Sequence, residues 1–195
     1  MSDVSRFILV RHGETVGDSS IRYHGNNDVA LSRAGRVQAE RLVGTLPFEV
    51  DCVVSSPLCR AWQTATVLLP RASIEIEPAF KEIHFGRWEG LTREEIEACD
   101  PDLHSDWQAR APGFEFPEGE PQDDFQRRIR EGLERLLALS AESVLVVAHK
   151  GVVRHLAETL THETLPDAVP DLGELISVQR KPNGSWSMRE DFSGR

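Results

Sequence analysis

Leu9-Val10-Arg11-His12-Gly13-Glu14-Thr15 decides how the chain is read. The apolar run that begins at Phe7 ends abruptly after Val10 in a guanidinium, an imidazole and a glycine. A continuous apolar run of this length is the pattern of a strand buried on both faces, and its polar end marks the rim of a sheet. In an open α/β sheet the ligand crevice lies beyond the carboxyl ends of such strands, which places Arg11 and His12 where ligands bind. A neutral imidazole is a competent nucleophile near neutral pH. A neighbouring guanidinium can grip a phosphoryl group through two hydrogen bonds, so the pair points to attack on phosphorus. The competing reading of the dipeptide is a charged strand end with a solvated histidine.

The same arrangement recurs late in the chain. Val144 to Ala148 is a β-branched apolar run that ends in His149-Lys150-Gly151, and Val152, Val153, Leu156, Ala157 and Leu160 then fall at helical spacing. Two strands therefore each carry a histidine to their carboxyl ends, and a helix N-terminus stands behind the second, as a phosphate site needs. Between them lies Ser55-Ser56-Pro57-Leu58-Cys59-Arg60-Ala61-Trp62-Gln63-Thr64-Ala65. Here Ser56 is expected as N-cap and Pro57 as the first residue of a helix that turns Leu58, Ala61, Ala65 and Leu68 inward. Arg60 then emerges from the first turn and adds its charge to the free N–H groups of a helix start.

These stretches resemble the signature blocks of the histidine phosphatase superfamily, which includes the phosphoglycerate mutases. The resemblance runs from Phe7 to about Arg189. It rests on Arg11-His12-Gly13-Glu14-Thr15, on the block around Arg22-Tyr23-His24-Gly25, and on the Ser55 to Ala65 block. It also rests on Glu82 ahead of Phe85-Gly86-Arg87-Trp88-Glu89-Gly90, on Gly119-Glu120-Pro121, and on His149. The resemblance implies that His12 is the nucleophile and that Arg11, Arg60 and His149 hold the transferred phosphoryl. It further implies that Arg22 touches the rest of the substrate and that Glu82 is the acid that protonates the leaving oxygen. Such an acid must be kept protonated by burial or by the adjacent phosphate. Without the resemblance Arg22 would be a surface arginine and Glu82 one of 32 acidic residues. Three positions depart from the family pattern. Asp18 stands where many members have an asparagine, Pro121 replaces a serine, and Lys150 replaces a small residue; Lys150 either adds a cation to the pocket or points outward.

A chain of 195 residues with 39% hydrophobic content suits a single domain with a sizeable core. Its formal charge of −10 argues against nucleic acid or an anionic membrane as the main partner, since both demand clustered basic surface. An anionic small molecule would need a locally positive pocket. No run of 18 apolar residues occurs, and Met1-Ser2-Asp3 lacks the start of a secretory signal, so a soluble, cytoplasmic protein is expected. Cys52, Cys59 and Cys99 lack metal-type spacing and are expected as reduced, structural thiols.

The remaining elements follow from periodicity. Ser32 caps a helix with Ala39, Leu42, Val43 and Leu46 on one face, and Pro47 stops it. Strands are expected within 51–55, 73–76, 175–179 and 186–189, the last two joined at Asn183-Gly184 as a hairpin that closes the sheet edge. Thr92-Arg93-Glu94-Glu95 fits a capping box over a short helix, and Asp123 to Leu139 forms the longest helix. Residues 99–121 have no clean period and carry four prolines with Trp107, Phe114 and Phe116. Such long irregular segments are usually functional, and 92–121 is expected as a cap over the pocket. Its aromatics either pack it down, the favoured reading, or shape the substrate wall.

The expected fold is α/β, a three-layer, mostly parallel central sheet flanked by helices with this cap inserted. The expected function is hydrolysis of a small phosphate ester, such as a sugar phosphate or α-ribazole phosphate, through a phosphohistidine on His12. No cofactor or metal is implied, because the two arginines beside the histidines would repel a cation. Phosphoglycerate mutase chemistry ranks second, since the cap is rich in acids (Glu89, Glu94, Glu95, Glu97, Asp100, Asp102, Asp106) and supplies few cations for a second anionic group. A catalytically inactive binding module ranks third. The sequence leaves the oligomeric state open.

Overall fold

A computed structural model describes residues 3–189; Met1 and Ser2, part of the stretch weighed as a possible leader, lie outside the described residues. Six strands form one sheet: β1 (Arg6–Arg11), β2 (Cys52–Ser55), β3 (Ile74–Ile76), β4 (Ser143–Ala148), β5 (Leu175–Arg180) and β6 (Trp186–Met188), in the order β3-β2-β4-β1-β5-β6. β1, β2, β3 and β4 run parallel, whereas β5 and β6 pair antiparallel at one edge as the expected hairpin. β1 is continuously apolar because both its faces are covered, and its side chains alternate between two cores. Phe7 and Leu9 join Ile129, Leu133, Val153 and Leu156, while Ile8 and Val10 join Ala61, Ala65 and Leu68. Helices α1 (Arg33–Leu42) and α2 (Cys59–Leu68) thus cover one face, and α5 (Gln122–Leu137) and α6 (Lys150–Thr161) the other. The β1–β4 register pairs Arg11 with Ala148, so the next residue on each strand, His12 and His149, leaves the sheet at the same edge.

Three local expectations are corrected. Helix α2 starts at Cys59 with Leu58 as N-cap, because the Ser56 hydroxyl accepts the Leu58 N–H at 3.3 Å in a turn ahead of the helix. Helix α1 ends at Leu42, where Gly44 takes φ +80; Val43 is left exposed, and Pro47 stops nothing. Residues 99–121 are not irregular throughout. Thr92 caps α3 (Arg93–Cys99) with the expected capping box, and a further helix α4 (Pro101–Gln108) follows, in which Pro101 is the first helical residue rather than a breaker. Among the described residues no helix is long and apolar enough to cross a membrane.

Candidate active site

His12 sits directly after β1 and is 5% exposed. Its Nδ1 lies 2.7 Å from the carbonyl oxygen of Gly13; a carbonyl only accepts, so Nδ1 carries the proton and Nε2 presents a lone pair. Arg60 Nε donates to that lone pair at 3.2 Å. Burial, then the charges of Arg60 and Arg11, holds the imidazole well below its ordinary pKa of 6.5, so it is neutral near neutral pH. Gly13 is required here, because a Cβ would stand 2.4 Å from the Gly35 carbonyl oxygen of the neighbouring helix.

Arg60, in the first turn of α2, is 2% exposed although it is charged. Its Nη1 and Nη2 donate to the carbonyls of Asn27 and Gly25, each at 2.7 Å, which ties the guanidinium to the loop that follows the first motif. Cys59 beside it donates its backbone N–H to Asp28 at 2.6 Å. Burial and Asp28 push the Cys59 thiol up to about 11, as suits an unreactive structural thiol.

His149 is fully buried, with its ring centroid 5.1 Å from that of His12 and the two planes at 62°. Its Nε2 lies 2.7 Å from the Ser56 hydroxyl. That hydroxyl already accepts from Leu58, and Nε2 is the acceptor its own proton reaches, so His149 carries its hydrogen on Nδ1. Nδ1 has no protein partner among the described residues. Burial, followed by Arg60, His12 and Arg11, lowers this imidazole too.

Glu82 follows a short 3-10 turn, Pro78–Phe80, and is 8% exposed. One carboxyl oxygen accepts the Ile83 N–H at 3.0 Å and the other the Gly151 N–H at 3.1 Å, which joins the acid to the first turn of α6. From α5, Arg128 donates to the carbonyls of Ala79, Lys81 and Glu82 and pairs through two nitrogens with Glu120, at 2.7 and 2.8 Å. The sequence shows Arg128 only as one polar residue on an amphipathic helix, and Ser56 only as a cap. Neither carries a local signal of what it touches across the fold.

Arg11, His12, Arg60, Glu82, Lys150 and Gly151 all open onto one cavity of about 1000 Å³. Six cationic side chains line it (Arg11, Arg22, Arg60, Arg110, Lys150, Arg154) against three carboxylates (Glu82, Asp167, Asp171), so a protein of net charge −10 holds a positive pocket. Arg11 Nη1 donates to the Pro170 carbonyl at 3.1 Å and stands 3.9 Å from Asp171. Lys150 faces the cavity and makes no ion pair among the described residues; burial, then Arg11 and Arg154, lowers its pKa. Arg22 reaches the cavity edge but spends its guanidinium on the Gly90 carbonyl at 2.7 Å and on Glu95 of α3 at 2.8 Å. The acids of 89–106 that weighed against a second anionic group do not line the cavity, and neither does Asp18, which takes φ +57 in a turn. Segment 92–121 instead presents Trp107, Phe114 and Phe116, which both pack on one another and face the cavity. Among the described residues no group of three or more His, Cys, Asp or Glu side chains could hold a metal ion.

Residues 7–187 match the histidine phosphatase superfamily (branch 1). A bifunctional protein of Mycobacterium tuberculosis is 34% identical over 157 residues, which cover 78% of this chain but only 43% of that protein. The glucosyl-3-phosphoglycerate phosphatase of Mycobacterium tuberculosis is 31% identical over 201 residues, covering 96% of this chain and 89% of that enzyme. A native structure of the mycobacterial glucosyl-3-phosphoglycerate phosphatase superimposes with a TM-score of 0.79 over 96% of this chain and 97% of its own, at 27% identity. A phosphoglycerate mutase from Thermus thermophilus superimposes with a TM-score of 0.69 over 89% of this chain and 92% of its own, at 34% identity.

Proposed function

Because this chain belongs to the histidine phosphatase superfamily, we propose that it hydrolyses a small phosphate monoester through a phosphohistidine on Nε2 of His12. The observation that carries this is the state of His12: a neutral ring lining the cavity, its proton committed to Gly13 and its Nε2 lone pair held by the buried Arg60 guanidinium. In the first half-reaction the Nε2–P bond forms and the P–O bond of the ester breaks, and Glu82 gives its proton to the departing oxygen. In the second, Glu82 takes a proton from water, the water oxygen attacks phosphorus, and the N–P bond breaks to release inorganic phosphate. Arg11, Arg60 and the Nδ1–H of His149 neutralise the three equatorial oxygens, over which charge spreads in a loose transition state. Lys150 contributes a further cation to the same end of the cavity, and Arg22 acts at its rim. These cations meet the charge of the phosphoryl group without a metal. Segment 92–121 serves as a cap on a single domain, and the free Cys52, Cys59 and Cys99 support a cytoplasmic location.

Mutase-type transfer is the second reading. It is favoured by one feature, the uncommitted Lys150, which could take a carboxylate or a second phosphate of a phosphoglycerate. A panel of phosphate esters assayed for phosphate release, with isomerisation of 3-phosphoglycerate run alongside, separates the two. Release without isomerisation is expected. His12→Ala should abolish both turnover, by on the order of 10⁴-fold or more, and any acid-labile, base-stable phosphorylation of the protein. Near-normal rates in the folded variant would rule the mechanism out.

A further inference from the structure

The cavity is much larger than a phosphoryl group needs, and its two sides differ in kind. On one side stand the charged groups of α6 and the loop after it, Lys150, Arg154, Asp167 and Asp171. The rest of the lining carries five rings, Tyr23, Phe85, Trp107, Phe114 and Phe116, with Arg22, Gln108, Arg110 and Gln122 interspersed. Tyr23 meets Phe85 and Trp107 edge to face, with centroids 5.7 and 5.2 Å apart, and Phe85 meets Phe116 at 4.9 Å and 84°. From this placement we infer that the preferred substrates are phosphate monoesters whose leaving group carries a flat apolar body, aromatic by preference, seated against this wall.

The position of Glu82 decides which part of a substrate meets the rings. The acid must stand at the leaving oxygen, and Ile83 and Phe85, which follow it in the chain, line the cavity immediately beyond. A leaving group departing past Glu82 therefore runs along Phe85 toward Phe116, Phe114 and Trp107, while the phosphoryl group stays with the cations. The wall is built in advance. Glu120 N–H donates to the His84 carbonyl at 2.9 Å and Arg87 N–H to the Pro117 carbonyl at 3.0 Å, which locks the strip bearing Phe85 to the strip bearing Phe116. Gly86, at φ +60, lets the two strips touch, since a Cβ there would lie 1.9 Å from the Pro117 carbonyl oxygen. Rings that line a cavity recover binding free energy by covering apolar area and by ring-on-ring contact. A glycerol-sized leaving group would leave them wet.

The inference rests on the phosphatase reading, and its test keeps the two apart. Esters of primary alcohols are compared so that the leaving oxygen is chemically alike: 2-(2-naphthyl)ethyl phosphate, 2-phenylethyl phosphate and glycerol 1-phosphate. The naphthyl ester should exceed glycerol phosphate in kcat/KM by about tenfold or more, the phenyl ester falling between, chiefly through KM. Trp107→Ala should shrink that ratio several-fold. Phe114→Leu, which keeps an apolar side chain of similar volume and removes only the ring, should do the same and guards against a Trp107 variant that fails to fold. In parallel, calorimetry compares 2-(2-naphthyl)ethylphosphonate with methylphosphonate, which the enzyme cannot hydrolyse. If no ester is turned over, the phosphatase reading fails, and the phosphonates still judge the wall: tighter naphthyl binding supports it. Equal kcat/KM for the three esters together with equal phosphonate binding would overturn the inference.

Discussion

The floor of the cavity and its aromatic wall are held by different means. On the floor, His12, Arg60 and Glu82 are fixed by backbone. His12 Nδ1 is bound to the Gly13 carbonyl, Arg60 to those of Gly25 and Asn27, and both oxygens of Glu82 to the N–H groups of Ile83 and Gly151. On the wall, rings lean on rings, and the charged groups at the rim pair with one another across solvent, as Arg110 does with Asp167 at 67% and 77% side-chain exposure. Exposed pairs of that kind contribute roughly 0–1 kcal/mol, whereas backbone anchoring fixes geometry whatever the neighbouring side chains are. The floor can thus keep one chemistry while side-chain changes on the wall alter what is accepted. Substitutions on the two regions should fail differently, floor variants in kcat and wall variants in KM.

Glu82→Gln should show the largest such effect among changes that keep the nucleophile. Removing the proton donor should cost an alkyl phosphate roughly 10²–10⁴-fold in the single-turnover formation of the phosphohistidine, while nitrophenyl phosphate, whose leaving oxygen hardly needs a proton, should lose much less. Equal losses for both esters would count against Glu82 as the acid.

Ser56→Ala should act on the same floor one contact further out. The hydroxyl bridges Leu58 N–H and His149 Nε2, so its loss frees His149 to change tautomer and leaves two buried polar groups unpaired. We expect kcat to fall on the order of tenfold with KM little changed, and a stability loss of about 1–3 kcal/mol. Ser56→Thr, which restores a hydroxyl, should recover the rate. A lowered melting temperature with unaltered kcat would show that the tautomer of His149 is immaterial and that the serine only packs.

Ser56 also shows where the sequence stops being legible. The strands, the parallel core and the positions of His12, His149 and Arg60 could be read because each depends on local pattern: an apolar run that ends in a polar residue, or an arginine in the first turn of a helix. Ser56 is equally visible, yet its nearest sequence neighbours point to a cap; its partner His149 lies 93 positions away and only the β2–β4 pairing brings them together. The same holds for Gly151 with Glu82, 69 positions apart, and for Arg128, whose four contacts to the Ala79–Glu82 strip and Glu120 have no trace in the period of α5. Helix α4 is illegible for a different reason. Its apolar positions Leu103 and Trp107 make a single i,i+4 pair, too little for a period, and Pro101 looks like a breaker until its place at the helix start is known. The acids of 89–106 are legible only as composition. They belong to the stretch expected to cover the pocket, but which way they face is set by packing, and none of them lines it.

The smallest contrast is in how acid destabilises each region, and its sign follows from the direction of the pKa shifts. His12 and His149 are held below 6.5 in the folded protein by burial and by Arg60. Below that value the unfolded chain binds more protons than the folded one, so stability falls as pH drops toward the folded values, by at most about 1.4 kcal/mol per pH unit for each ring. His155, lowered by burial and Arg130, adds to the same limb from the back of α6. In segment 92–121 the shifted groups are carboxylates. The Thr92 N–H and Arg22 lower Glu95 from 4.5, and the Trp88 indole and Arg87 lower Asp100 from 3.8, so their contribution is intact above about pH 5 and is lost only as pH falls through the lowered values. Glu77, lowered by Arg135, shares that lower limb. Urea midpoints measured at about pH 7.5, 5.5 and 3.5 should therefore decline in two stages. His149→Gln should flatten the decline between pH 7.5 and 5.5 and leave the lower stage alone, and Asp100→Asn should do the reverse. If His149→Gln retains the full upper decline, the buried imidazoles of the floor are not what acid acts on first. The separation between a backbone-anchored floor and a side-chain wall would then not extend to stability.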